Sequence, residues 1–188
     1  VKESERHFIG NSNGAMMRTA LLGMAFKSDD DLNRRQWISE IALATHSHER
    51  AVATSLIASK LFAQVLLDPT IDIKKVAEGE AQAIGYADFF STHFDEKAQV
   101  SLDPLQTLKT VIAIAATSTT VEQAYISACE QGGDTDTVSA LAGALVSLRF
   151  PSSHRFFSIP WVNQVQWSEI SEAGKAVEII YRARNCTV

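Results

Sequence analysis

Gln131-Gly132-Gly133-Asp134-Thr135-Asp136-Thr137-Val138 gathers two glycines, two carboxylates and two hydroxyls at one helix entrance. Downstream, Val138, Leu141, Ala142, Leu145, Val146 and Leu148 recur every three or four residues, the spacing of a buried helical stripe. Ala140, Gly143 and Ala144 lie between them and would let a neighbouring helix approach closely. Upstream, Gln131-Gly132-Gly133 terminates a helix that reaches Glu130. The stretch is therefore a helix-to-helix junction, and no β-alternation appears elsewhere in the chain. The expected fold is all-α, a compact orthogonal helical bundle.

The remaining helices follow outward from that junction. Pro104 suits the first turn of a helix carried by Leu105, Leu108, Val111, Ile112 and Ala115, which Thr117-Ser118-Thr119-Thr120 interrupts. Ser91 to Asp103 has no period and reads as a loop, and Ile73 to Phe90 reads as one helix with a long polar face. Glu49 to Leu67 has apolar residues on more than one face, which predicts the central helix of the core, and Asp68-Pro69 stops it. A helix over Leu32 to Thr45 is capped by Asp30 or Asp31, and another covers Ala15 to Phe26. Gly10-Asn11-Ser12-Asn13-Gly14 sits at the N-terminus of the latter, where backbone N–H groups would suit an anion. Beyond Pro151, a loop through His154 and Phe157 leads to Ile159-Pro160-Trp161 and a last helix over Ser168 to Arg184.

Composition narrows the partners. With 188 residues and 46% hydrophobic side chains, the chain supports one substantial core, so residues 1–188 are read as a single domain. Acidic residues outnumber basic ones 22 to 17 and no run of Lys or Arg exceeds two, which argues against a nucleic-acid partner. No uninterrupted apolar stretch has the length of a membrane span, so no membrane partner is expected. Cys129 and Cys186 are too few for a disulfide framework and fit reduced thiols in a cytoplasmic protein. The polar start, without an initiator Met, suggests the later part of a longer protein. Cys129, Met16, Met17 and Met24 read as packing residues. His46 and His48 form a His-x-His pair with no evident third zinc ligand, and His48 reads as a solvated helix start.

Asp134 and Asp136 would diverge by about 200° in a continuous helix. A turn over 132–136 that enters the helix only afterwards lets both carboxylates and the Thr137 hydroxyl converge. Oxygen ligands favour Mg²⁺, Mn²⁺ or Ca²⁺ over zinc. The plain alternative is that Asp134 or Thr135 caps the helix, but a cap needs one such residue and the stretch has four.

Gln131 to Val138, followed by Ser139-Ala140-Leu141-Ala142-Gly143-Ala144, resembles the C-terminal signature of the ADP-ribosylglycohydrolase family. That family includes the hydrolase that reactivates dinitrogenase reductase and hydrolases that remove ADP-ribose from arginine or serine. Ser12-Asn13-Gly14-Ala15-Met16-Met17-Arg18 resembles its Gly-Asn-Gly-x-x-Met-Arg segment, Thr45-His46 its Thr-His pair, and Ile159-Pro160-Trp161 its Ile-Pro-x-x-Trp ending with shortened spacing. The resemblance implies that Asp134, Asp136 and Thr137 bind ions of a dinuclear Mg²⁺ or Mn²⁺ site, the two aspartates acting catalytically through bound water. It also implies that Gly10, Asn11, Ser12, Asn13 and Gly14 cradle the diphosphate or ribose of ADP-ribose, with His46 nearby. The expected activity is hydrolysis of the bond linking ADP-ribose to a protein side chain or small molecule. The alternative is a non-catalytic ADP-ribose-binding or toxin-binding immunity protein of the same fold. Two departures stand out: Ser12 occupies the place of the segment's first glycine, and the family's N-terminal Thr-Asp-Asp-Thr motif should lie upstream of Gly10. Ser28-Asp29-Asp30 follows the Asn-Gly segment rather than preceding it and does not substitute. The sequence thus carries one wall of a metal site. It reads as the C-terminal part of a longer domain, a subunit whose partner completes the site, or a degenerate relative.

Overall fold

Glu49–Leu67 is apolar around most of its circumference, so it satisfies its side chains only when surrounded. It forms the centre of the computed structural model, which describes residues 10–27, 29–91, 95, 98–150, 159–164 and 172–185. Among these, the α-helices are α1 (Gly14–Thr19), α2 (Asp31–Leu43), α3 (Glu49–Leu67), α4 (Ile73–Ala83), α5 (Pro104–Thr117), α6 (Val121–Gln131), α7 (Thr135–Arg149) and α8 (Ala173–Asn185). No strand occurs among the described residues beyond an isolated parallel bridge between Val100 and Gly133. The fold is all-α. Helices α1, α2, α4, α5 and α7 all pack on α3, which buries Ile57, Leu61, Phe62 and Val65 among them. By length and composition α3 could cross a membrane; here most of it lies inside the core.

Side-chain caps explain the starts of four helices, α3 to α6. Asp72 accepts from the Lys74 and Lys75 N–H groups at the start of α4, and Asp103 accepts from the Gln106 N–H ahead of Pro104 in α5. Thr120 accepts from the Gln123 N–H while the Gln123 side chain accepts from the Thr119 N–H. His48 starts α3, its Nδ1 accepting from the Arg50 N–H at 3.2 Å.

Two expected helices are broken. The Ala15–Phe26 segment is α1 followed by a 3₁₀ stretch, Ala20–Ala25. Gly23 lies so close to α3 that a Cβ there would sit 1.9 Å from the Ser59 carbonyl oxygen. The Ile73–Phe90 segment ends its α-helix at Ala83; Gly85 turns at φ +86° and the Tyr86 N–H reaches back to the Ala81 carbonyl before a 3₁₀ turn at Ala87–Phe90. Asp30 occupies the position before α2, but its carboxylate accepts from the Asn33 side chain and caps no backbone N–H. Cys129 and Met17 are exposed instead of packed inside. The start expected for the last helix, together with His154, Phe157 and Cys186, lies outside the described residues. The small-residue face of α7 does receive a neighbour: the Tyr125 ring of α6 lies where a Cβ on Gly143 would be 2.5 Å from it, and Trp161 stands edge-on to Tyr125.

A charged network joins α2, α3 and α4. Arg34 is 1% exposed and donates to Glu80, the Ser59 hydroxyl and the Leu56 carbonyl. Arg35 adds two hydrogen bonds to the same Glu80 carboxylate, and Asp31 joins Arg34 to Lys60. Burial pushes the Glu80 carboxyl up, but hydrogen bonds from Arg35 and Arg34 and their charges outweigh it and hold the group below its ordinary value. A depressed carboxyl contributes stability above its unfolded pKa, and that contribution disappears as pH falls through the folded value. Glu80→Gln should therefore cost about 3 kcal/mol, because it removes the buried counter-charge of Arg34 and leaves that guanidinium only the partly exposed Asp31. Urea unfolding at neutral pH measures the loss, and the gap between mutant and parent should narrow as the medium is acidified.

Candidate functional site

The Gly-Gly junction forms because a neighbouring loop occupies its side-chain space. Gly132 and Gly133 adopt φ +71° and +78°, which L-residues with a Cβ resist. The Val100 N–H donates to the Gly132 carbonyl and the Val100 carbonyl accepts from the Asp134 N–H at 2.9 Å. A Cβ at Gly133 would sit 2.0 Å from that Val100 oxygen. Val100 is buried and the Gln131 side chain donates to the Ala98 carbonyl, so the loop anchors the junction before α7 begins.

Asp134 stands at the N-cap position of α7, yet its carboxylate caps no backbone N–H. One oxygen accepts from the Thr137 hydroxyl at 3.1 Å and the other from the Asn13 side-chain amide. Asn13 is 4% exposed, and its amide also donates to Thr107 Oγ1 at 2.9 Å. Its backbone N–H donates to the Leu102 carbonyl. Asp136 is exposed beside this pair; a hydrogen bond with Asp134, then the backbone N–H groups of Thr137 and of its own residue, hold its carboxyl below the usual range. The two carboxyl groups thus converge despite their spacing of two. Like charges so close are relieved by a shared proton or by a cation. Thr137 is buried, and its hydroxyl also lies 3.5 Å from the Met17 sulfur.

The 10–14 turn wraps around His46. Ser12 Oγ lies 2.8 Å from His46 Nε2, and Thr45 Oγ1 lies 2.7 Å from Nδ1. A Cβ on Gly10 would sit 2.7 Å from the Thr45 carbonyl oxygen and one on Gly14 would press on the His46 ring at 3.3 Å. Burial, then the charge of Arg18, push the His46 imidazole below its ordinary pKa. Asn11 is exposed, Gly10, Ser12 and Gly14 are half-buried, and Asn13 points inward to Asp134 and Thr107. The turn and the carboxylates are therefore one connected region, joined through Asn13.

An ion at this place would find the oxygens of Asp134 and Asp136 and the Thr137 hydroxyl, an all-oxygen set suited to a hard divalent cation. Among the described residues no group of three or more His, Cys, Asp or Glu side chains converges. Thr107 and Met17 join the region without a sequence signal, and Asn13, expected at the ligand turn, turns inward to Asp134 and Thr107. A cleft of about 570 Å³, lined in part by Glu49, Arg50, Tyr86, Asp88, Asp103 and Lys109, borders the start of α5 and includes none of the candidate residues.

The family model described as ADP-ribosylglycohydrolase matches residues 2–185. No curated protein matches the chain. Since both backbone angle and space exclude a side chain at Gly133, Gly133→Ala should destabilise the chain by at least about 1–2 kcal/mol. A thermal melt should show the midpoint falling by several degrees, whereas Gly174→Ala, where a Cβ meets nothing within 4 Å, should leave it nearly unchanged.

Proposed function

The chain belongs to the ADP-ribosylglycohydrolase family, and from that premise we propose that it hydrolyses the glycosidic bond between ADP-ribose and a protein side chain, arginine or serine, or a small molecule. The carrying observation is the Asp134 carboxylate, which stands at a helix entrance without capping it and is oriented by Asn13 and Thr137. Asp134, Asp136 and Thr137 would hold the Mg²⁺ or Mn²⁺ of the dinuclear site that the family resemblance implies. Bound divalent ions supply positive charge and make coordinated water more acidic. The Asn13 amide and the Thr137 hydroxyl keep the Asp134 carboxylate in one orientation, the usual work of groups behind a metal ligand. The 10–14 turn receives the diphosphate, with the neutral His46 ring behind it. In the reaction the anomeric carbon of ribose loses its bond to the side-chain nitrogen or oxygen and gains the water oxygen, while a proton passes to the departing atom. Water and substrate would supply further ion ligands.

A second reading, a non-catalytic ADP-ribose-binding or toxin-binding protein of the same fold, is favoured by one observation: only two carboxylates converge among the described residues.

Release of ADP-ribose from ADP-ribosylated arginine or serine protein, with Mg²⁺ and after chelation, separates the readings. Divalent-dependent release is expected, and Asp134→Asn should reduce it by at least about a hundredfold, as Asp134 is a direct ligand and even supporting residues cost 10–100-fold. Asn13→Ala should weaken the ion's half-saturating concentration by about 10–100-fold. Full activity of Asp134→Asn would remove the metal assignment. Tight ADP-ribose binding without turnover would select the second reading.

A further inference from the structure

The chain has three methionines, and Met17 combines an open side chain with a polar partner beside the carboxylates. It is 46% exposed, whereas its neighbour Met16 is 0% exposed and Met24 packs against the core. The Thr137 hydroxyl at the start of α7 lies 3.5 Å from the Met17 sulfur. The same hydroxyl lies 3.1 Å from an Asp134 carboxylate oxygen. A hydroxyl has one proton to donate, so sulfur and carboxylate compete for it. A thioether is a weak acceptor and a carboxylate a strong one, so in the reduced protein the proton goes to Asp134.

That balance holds only while the sulfur is a thioether. Hydrogen peroxide transfers one oxygen atom to an accessible methionine. A sulfur lone pair forms the S–O bond, the O–O bond breaks, and the second oxygen leaves as water with both protons. Sulfur is oxidised by two electrons and the peroxide is reduced. The product is a polar sulfoxide, whose oxygen accepts hydrogen bonds far better than the sulfur did. Thr137 is 4% exposed, so its hydroxyl has little access to water and chooses between these two acceptors.

We propose that Met17 is an oxidative modification site that controls the carboxylates: peroxide converts it to the sulfoxide, which draws the Thr137 hydroxyl away from Asp134 and lowers the affinity for a divalent cation. The effect on affinity rests on the reading that Asp134, Asp136 and Thr137 hold that cation. Methionine sulfoxide is reduced back to the thioether by dedicated reductases, so the loss is reversible.

The test treats the full chain and Met17→Leu with graded hydrogen peroxide. Peptide mass mapping reports where oxygen is added, the ¹³C resonance of the Asp134 carboxyl in metal-free protein reports its hydrogen bonding, and titration with Mn²⁺ reports ion affinity. Met17 should gain one oxygen well before Met16, and the Asp134 resonance should shift. The Mn²⁺ Kd should rise about 10- to 100-fold, as for loss of a group that orients a metal ligand. A methionine sulfoxide reductase with its thiol reductant should restore both. Leucine keeps the apolar bulk without the sulfur, so Met17→Leu should show the same Kd before and after peroxide. An equal loss of affinity in Met17→Leu overturns the proposal and moves the effect to another residue, such as the exposed Cys129. Met16 reacting as fast as Met17 also overturns it. A sulfoxide at Met17 with an unmoved Asp134 resonance overturns the competition for the Thr137 proton. Untreated protein that binds no Mn²⁺ overturns the cation reading and the effect on affinity, while the mass map and the Asp134 resonance still decide whether Met17 governs the Thr137–Asp134 hydrogen bond.

Discussion

The side-chain amide of Asn13 is the contact on which the candidate site depends. Its nitrogen donates to Thr107 on α5 and to Asp134 at the entrance of α7, while its backbone N–H donates to Leu102. A buried amide left without partners costs about 1–3 kcal/mol, so these bonds favour the joint assembly of the region. Asn13 thereby joins the 10–14 turn, the 98–102 loop with α5, and the Gly-Gly junction. Its hydrogen bond holds the Asp134 carboxylate at the start of α7 without that carboxylate capping the helix.

Backbone space supplies the complementary constraint. The Val100 carbonyl lies where the Gly133 side chain would be, and the same carbonyl accepts the Asp134 N–H. Replacing either glycine would disturb the direction in which the carboxylate leaves the chain. The turn at 10–14 repeats the theme, with Thr45 and His46 occupying the space that side chains on Gly10 and Gly14 would need. In both places glycine lets one backbone be shaped by the surface of another. Far from them, Arg34 and Arg35 join the start of α2 to Glu80 of α4, while Arg18 of α1 holds the opposite end of α2, beyond which His46 lies.

The all-α class and most of the helices were determined by the sequence alone, because helix periodicity and cap chemistry act over three or four residues. Glu49–Leu67 shows this best, since apolar residues on several faces and a terminal Asp68-Pro69 suffice to mark both its role and its ends. The same local logic marked Gly132-Gly133 as a stop and Asp134 to Thr137 as an unusually polar start. It failed at Gly23 and Gly85, where tight packing on Ser59 and a left-handed turn interrupt patterns that still look helical along the chain.

What only the tertiary structure decided is the partner of each polar group. That Asp134 is held by Asn13, 121 residues away, and Asn13 by Thr107, 94 residues away, leaves no periodic trace. Nor does the exposure of Met17 beside Thr137, or the clasp of Ser12 and Thr45 on His46. A hydrogen bond between distant residues is set by how the helices pack, and packing depends on the shape of the whole core. The sequence could therefore state that carboxylates gather at 134 and 136, while the fold alone determined that they converge, which residues orient them, and that the 10–14 turn stands beside them.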